Sequence, residues 1–357
     1  MTRASATPAV WALTGDKAGD NAQVLALARA LPWPWQAKKL VYNPMHHLWN
    51  LALGASCASL RLGASDPLEP PWPDLVLAVG RRSVPVARWI TSRSAGRARL
   101  VRLGRPRAPY DWFDLIVTTP QYRLPRRPNV VVLPLPLTDA GVEQTGDSEF
   151  RARIDALPRP RVALLVGGSS GPLRLDADGA RRIGATASRL AEAHGGSLMV
   201  TSSRRTDRAA ADALAGALMA RSWVHRWGED ANPYRAFLAA ADAIIVSADS
   251  VSMMSDAVAT GRPVLIAPLA ARRGLVDRIA GLLDHVPGYD RAVELGLLAR
   301  PREIARIAED LVANGHARWL ASDDDLAPPA SVYDAAGALA SVARRVASLV
   351  AEGGSRR

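Results

Sequence analysis

Cysteine is almost absent: Cys57 is the only one among 357 residues. A lone thiol closes no intramolecular disulfide and brings no companion ligands for a zinc site, which fits a reducing compartment. Long apolar runs are missing too. Nothing approaches the roughly 18 to 20 residues that cross a bilayer, and the early PAVWAL segment is too short and too uncharged at its flanks for a secretion signal. The expectation is a cytoplasmic protein, at most peripheral on the inner face of the cytoplasmic membrane. Lysine is scarce, limited to Lys17, Lys38 and Lys39, yet the net charge is +11 because arginine is plentiful and spread along the whole chain. Such dispersal, without zinc-finger spacing, an aromatic RNA-binding stripe or a basic tail, argues against nucleic acid as a partner. An anionic membrane surface uses the charge at least as well.

What is present is a rhythm. The chain is 48% hydrophobic and 22% charged, and its length exceeds what one core usually fills, so two domains are expected. Short apolar runs alternate with helical-length amphipathic stretches: AVWALTG, QAKKLVY, DLVLAVG, RLVRLG, FDLIVTTP and NVVVLPLPL, then RVALLVGG, GSLMVTSS, WVHRWG, DAIIVSAD and PVLIAP. β-rich runs separated by helices predict parallel sheets covered on both faces. The fold class is α/β, with two Rossmann-like doubly wound domains. The polar stretch TDAGVEQTGDSEFRARIDALPRPR breaks the rhythm. Residues 1–145 are expected to form an acceptor-side domain, 146–160 a linker, 161–325 a nucleotide-sugar-binding domain, and 326–357 a packing helix and tail. That last helix, about residues 332–351, has apolar residues on one face and Arg344 and Arg345 on the other, a packing pattern rather than a membrane-surface one.

Ligands of open α/β sheets bind beyond the carboxyl ends of the strands. After RVALLV come Gly167, Gly168, Ser169, Ser170 and Gly171, small residues that let backbone amides approach an anion. After GSLMV come Arg204 and Arg205, forked donors suited to a diphosphate. The richest stretch is SADSVSMMSDAVATGRPVLIAP. Here DAIIV reads as a strand, Asp249 or Ser250 as the cap of a helix starting near Val251, and Gly261 as its end. Ser252 and Asp256, four apart, share a face. Hydroxyls and amides at the helix start suit phosphate, and a carboxylate one turn deeper suits ribose hydroxyls.

In the first domain, TGDKAGDNAQ supplies Gly15, Asp16, Lys17 and Asp20 before a helix, where an acceptor and a general base would sit. Arg81 and Arg82 follow DLVLAVG as a second anion contact. His46 and His47 are read as surface residues outside any strand-end loop. Seven of the ten tryptophans lie in this half, mostly as expected core.

Several segments together, WALTGDKAGDNAQVLALARAL, YNPMHHLWNLALGAS, PWPDLVLAVGRRSVPVARWI, TSSRRT, NPYRAFLAAAD and SADSVSMMSDAVATGRPV, resemble the mitochondrial-fission ELM family. Its bacterial members are regarded as glycosyltransferases of the GT-B fold. The resemblance implies two Rossmann-like domains facing across a cleft, with a sugar nucleotide on the C-terminal domain. Gly167, Gly168 and Ser169 would then meet the diphosphate, with Arg204 and Arg205 beside it. Asn232 and Tyr234 would begin the helix near the base pocket, and Ser250, Ser252, Met253 and Asp256 would lie on the ribose-binding helix. That helix is similar to one in the glucosaminyltransferases that complete the peptidoglycan lipid precursor, where Glu usually stands in place of Asp256. Bacterial relatives commonly read TDGRAGHENQ in the first loop and carry a His-Asp pair where this chain has Gln121 and Tyr122.

The resulting expectation is transfer of a sugar from a nucleotide-diphosphate donor to a hydroxyl of a cell-envelope glycan or lipid-linked acceptor. No cofactor and no metal are called for, and Asp16 is the first candidate base. Two alternatives stay open: a nucleotide-sugar epimerase of the same fold, and a non-catalytic scaffold binding a protein or membrane.

Overall fold

A computed structural model describes residues 7–139, 148–229, 231–271, 282–284, 286–321 and 325–355. The chain divides into two compact units, Met1–Asp139 with Ile279–Pro301 and Ala335–Arg357, and Ala140–Arg278 with Arg302–Asp334.

The first unit contains a six-stranded parallel sheet in the order β2-β1-β3-β4-β5-β6. Its strands are β1 (Val10–Thr14), β2 (Trp35–Lys39), β3 (Leu75–Val79), β4 (Arg99–Leu103), β5 (Leu115–Thr118) and β6 (Val130–Val132). β3 reads LVLAV and is buried throughout, whereas edge strand β2 reads WQAKK and is largely exposed. A central parallel strand is covered on both faces and must be apolar at every position; an edge strand carries lysines, which also discourage pairing with another chain. Alternation along β1 sends Val10 and Ala12 to one face and Trp11 and Leu13 to the other. The first face packs on helix α1 (Ala18–Ala30), the second on α3 (Val84–Arg93), while the short α2 (Asn50–Leu53) lies between β2 and β3 in the chain.

The chain returns to this unit twice. Helix Tyr289–Glu294 places Tyr289 and Val293 in the α3-side core, and Asp284 and Arg300 pair with each other and with Arg123 and its carbonyl. The C-terminal helix Ala335–Ser355 buries Val342, Ala343 and Val346 beside α1. It is a packing helix, and its partner is the first unit. The segment Ile279–Pro301, expected within a continuous second domain, belongs to the first unit because it supplies apolar cover for that sheet.

The second unit has another six-stranded parallel sheet, in the order β10-β9-β7-β11-β12-β14. It is built from β7 (Arg161–Leu165), β9 (Ser197–Thr201), β10 (Ser222–His225), β11 (Ala243–Ser247), β12 (Val264–Ala267) and β14 (Arg318–Trp319). Two-residue strands β8 (Leu173–Arg174) and β13 (Ala270–Ala271) pair antiparallel beside it. Its helices are α4 (Ser148–Asp155), α5 (Ala177–Ala193), α6 (Arg208–Gly216), α7 (Tyr234–Ala240) and α8 (Val251–Val258), with Ile304–Ala313 near the end. α5 begins where the Asp176 carboxylate accepts from the Gly179 amide at 2.8 Å, and it packs Ile183, Ala187 and Leu190 on Val162, Leu164 and Val166. Every apolar run named from the sequence corresponds to a strand. Two Rossmann-like α/β units in one chain are the composition of the GT-B fold. No helix among the described residues is long and apolar enough to cross a membrane.

Candidate functional site

Strand order reverses between β7 and β11 in the second sheet, with β9 and β10 on one side and β12 and β14 on the other. A crevice opens beyond the strand ends at such a switch point. The residues there are Gly167 and Gly168 after β7, Ser247 at the end of β11 with Ala248 to Ser250 after it, and Arg204 and Arg205 after β9.

A buried carboxylate organises them. Asp249 has a side chain with 0% exposure. Its Oδ1 accepts from the Ser247 hydroxyl at 2.7 Å, its Oδ2 accepts from Arg205 Nη1 at 2.6 Å, and the Gly168 amide donates to it as well. Burial pushes the Asp249 carboxyl above its ordinary range, and Arg205, Ser247 and the Gly168 amide pull against that. The glycines are required by packing. A Cβ on Gly167 would lie 2.4 Å from Asp249 Oδ2, and one on Gly168, at φ +132°, would lie 2.3 Å from the Arg205 carbonyl oxygen. The Gly167 amide donates to Ser247 Oγ at 2.7 Å, and its carbonyl accepts from the Ser203 and Thr206 hydroxyls.

This differs from the cradle expected from sequence. The amides of Gly167 and Gly168 already serve Ser247 and Asp249, Ser169 Oγ accepts from the Leu175 amide, and the Ser170 amide bonds the Leu173 carbonyl. Arg205 turns to Asp249 while Arg204 lies exposed in the turn. Nor does Asp249 cap α8. Ser250 occupies the cap position without a side-chain cap hydrogen bond, and Ser252 and Met253 are half-buried in the first turn. Deeper along α8, Asp256 Oδ2 accepts from the Tyr234 hydroxyl at 2.8 Å, and burial together with Asp256 pushes that phenol well above its ordinary value. Asn232 Oδ1 accepts from the Tyr234 amide at 3.0 Å, fixing the start of α7. Two groupings therefore form, Gly167-Gly168-Arg205-Asp249 and Tyr234-Asp256. Ser247 was missing from the sequence-based set; its signal was a hydroxyl on the last strand residue, two before an aspartate.

In the first unit a cavity of about 210 Å³ lies at the ends of β1 and β3, where that sheet's order reverses. Gly15, Asp16, Lys17, Asp20, Arg81 and Arg82 all line it, so the structure brings together the residues predicted for this side. Helix α1 starts at Ala18, earlier than the sequence pattern indicated, which puts Asp20 in its first turn and Lys17 at the cap position. Asn21 clasps the loop: it accepts from the Gly15 amide at 2.8 Å and donates to the Gly15 carbonyl at 2.9 Å. Asp16 accepts from Arg82 at 3.2 and 3.3 Å. Arg81 donates to the carbonyls of His46 and Leu48.

His46 and His47 line the same cavity with Tyr42, which corrects their placement outside any strand-end loop; His46 is half-buried, and His47 is exposed as expected. They follow β2, whose carboxyl end points to the same edge of the sheet as β1 and β3. The rule that flagged the other loops applied to this one as well. A further residue beyond sequence reasoning is Arg102 of β4, fully buried, donating to the carbonyls of Ala78 and Arg105; burial lowers its guanidinium to about 10 while Asp20, Tyr122 and Tyr42 counter the fall. Gln121 is buried and donates to Thr119, and the Tyr122 ring lies under Arg105.

The sequence profile described as "Mitochondrial fission ELM1" matches residues 18–314. The mitochondrial fission protein ELM1 of Arabidopsis thaliana is 28% identical over 229 residues, 57% of this chain and 53% of that protein, so the match spans about half the length of that relative. The uncharacterized protein RP120 of Rickettsia prowazekii is 22% identical over 293 residues, covering 72% of this chain and 82% of that one. Among solved structures, spinosyn forosaminyltransferase SpnP superposes with a TM-score of 0.49 at 15% identity, over 98% of this chain and 95% of that one, a likeness of fold only.

Proposed function

The chain belongs to the mitochondrial fission ELM1 family, and from that premise we propose that it is a glycosyltransferase, taking a sugar from a nucleotide diphosphate bound by the second unit to a hydroxyl of an acceptor held by the first. The observation that carries the donor assignment is the Asp249–Arg205 pair at the switch point. A carboxylate with 0% exposure holds a guanidinium that is itself 38% exposed, so part of a five-donor fork stays presented to solvent at a fixed position. Anions gather at such a guanidinium and at the start of α8, where the Ser250 and Ser252 hydroxyls and the Ser252 and Met253 amides are offered, the Ser250 amide being bonded to the Ser247 carbonyl. The Tyr234–Asp256 pair, one to two turns along α8, supports a ribose contact. Negative charge that develops on a departing diphosphate is stabilised by these donors in place.

The acceptor side is read from the first unit's cavity. Met45, Leu48 and Trp49 flank His46 and His47 in the chain and are 44%, 48% and 67% exposed. Apolar side chains beside a cavity rich in arginine support a lipid-linked, anionic acceptor and contact with an anionic membrane surface.

Thermal unfolding of the wild type and Asp256→Ala against UDP, GDP, CDP and dTDP sugars tests the donor reading. A ligand at about 100 times its Kd stabilises the native state by roughly 2.7 kcal/mol. One nucleotide is expected to raise the wild-type midpoint, with a smaller rise in the variant. No response to any of them refutes the assignment, and an epimerised nucleotide sugar formed without acceptor would replace transfer by isomerisation.

A further inference from the structure

We propose that Asp20 is the proton acceptor of the first unit's cavity, taking the proton of a bound acceptor hydroxyl on its carboxylate. The proposal rests on the transfer reading above and assigns to Asp20 the role first given to Asp16.

Asp20 is the third residue of α1, which starts at Ala18 after Lys17. An acid at that position ordinarily reaches back to the backbone amide of the cap residue and closes a capping box. Here it does not. Among the described residues the Asp20 carboxylate makes no hydrogen bond and no ion pair, and neither of its oxygens is buried. The residue is half-buried and lines the cavity, so its lone pairs are open to a ligand there.

The carboxylate is nonetheless held in place. Asn21, next along α1, is bonded twice to Gly15, which ties the loop ahead of the helix to its first turn. On the other side lies the end of β3. A Cβ on Gly80 would stand 3.1 Å from Asp20 Oδ2, so the glycine leaves the carboxylate its room. The buried Arg102 interacts with the Asp20 charge while donating to the carbonyls of Ala78 and Arg105. A cation fixed in the sheet thus balances the acid without occupying its oxygens.

Other groups that face the cavity are less suited. Both oxygens of Asp16 accept from Arg82. His46 Nδ1 meets the Asn43 carbonyl, and its Nε2 is buried, out of reach of a ligand. His47 is exposed at the end of the 3-10 turn Pro44–His47, where bulk water reaches it. Burial pushes the Tyr42 phenol well above its ordinary value, and Lys17, Arg81 and Arg82 offer donors only.

In the transfer step the acceptor oxygen forms a bond to the anomeric carbon, and the bond from that carbon to the donor phosphate oxygen breaks. Its electron pair leaves with the nucleoside diphosphate. The hydroxyl proton moves to an Asp20 carboxylate oxygen, and the carboxylic acid later releases it to water.

The test follows release of nucleoside diphosphate, with water as acceptor, from whichever UDP, GDP, CDP or dTDP sugar raises the midpoint of the full chain. Asp20→Asn, which keeps the shape of the side chain, is expected to lose about 10²–10⁴-fold in rate while keeping the donor-induced midpoint shift. Asp20→Ala should lose as much and recover about tenfold or more in added formate, a carboxylate small enough to enter the vacated space. A residue that only shapes the cavity is not restored in this way. Asp16→Ala should not respond to formate, nor His47→Ala to imidazole, whatever their own rates. An Asp20→Asn rate within about threefold of wild type, with the shift retained, overturns this proposal alone. So does restoration of Asp16→Ala by formate or of His47→Ala by imidazole while Asp20→Ala stays unrestored. No midpoint shift and no release in wild type overturn it together with the transfer reading.

Discussion

Removing the Asp249 carboxylate with Asp249→Ala measures how far that group organises the second unit. The substitution strands two buried donors, the Gly168 amide and the Ser247 hydroxyl, and releases Arg205. A buried donor without an acceptor costs roughly 1–3 kcal/mol. Arg205 is 38% exposed and recovers water, so it adds little. The Ser247 hydroxyl can rotate to another acceptor, which places the expected loss at about 2–4 kcal/mol. A chain of two units need not unfold in one transition, so the suitable assay is native-state amide exchange resolved by peptide. Peptides covering β7 and β11 should lose protection by roughly 30- to 1,000-fold, at about 1.4 kcal/mol per decade, while those covering β1 and β3 hold theirs. A change under fivefold in β7 and β11, or an equal loss in both sheets, would refute the reasoning. Asp249→Asn adds a test of sign. The folded-state value lies above the ordinary 3.8, so the native state binds this proton more tightly than the unfolded chain. The contribution of this group to stability is greatest on the acid side and declines as pH rises from that ordinary value through the raised one. Wild type should show the decline in β7 and β11 protection, corrected for intrinsic exchange, and Asp249→Asn should lack it.

Gly168→Ala forces a left-handed φ of +132° on a residue with a Cβ, and sets that atom 2.3 Å from the Arg205 carbonyl oxygen. Strain of this kind costs about 1–3 kcal/mol before the clash is relieved; a second-unit stability within 0.5 kcal/mol of wild type, by the same exchange measurement, contradicts the geometry. Burial pushes the Cys57 thiol to about 11, so at pH 8 it is almost wholly protonated. Its reaction with a disulfide reagent should run on the order of a hundredfold slower than that of glutathione, and labelling at the glutathione rate would show the site to be open.

Sequence alone determined the α/β class, the main strands and the start of α8. These depend on local pattern: a central parallel strand such as LVLAV is apolar at every position because both faces are covered, and a helix begins where a polar run meets an amphipathic one. Gly15, Asp16, Lys17, Asp20, Arg81 and Arg82, all named from the sequence, line one cavity, since all follow strand ends that the parallel sheet aligns at one edge. His46 and His47 obeyed the same rule but follow β2, a polar edge strand whose pattern marks its end less clearly. Only the tertiary structure decided what each polar group bonds. Asp249 reads as a helix cap beside Ser250, yet it turns to Arg205, 44 positions away, and Asp256 meets Tyr234, 22 positions away. Likewise Ile279–Pro301 and the C-terminal helix pack on the first sheet. Periodicity reports which face of a segment is apolar; the surface that covers that face, and the donor that meets a given carboxylate, are set by distant parts of the chain arriving at the same place.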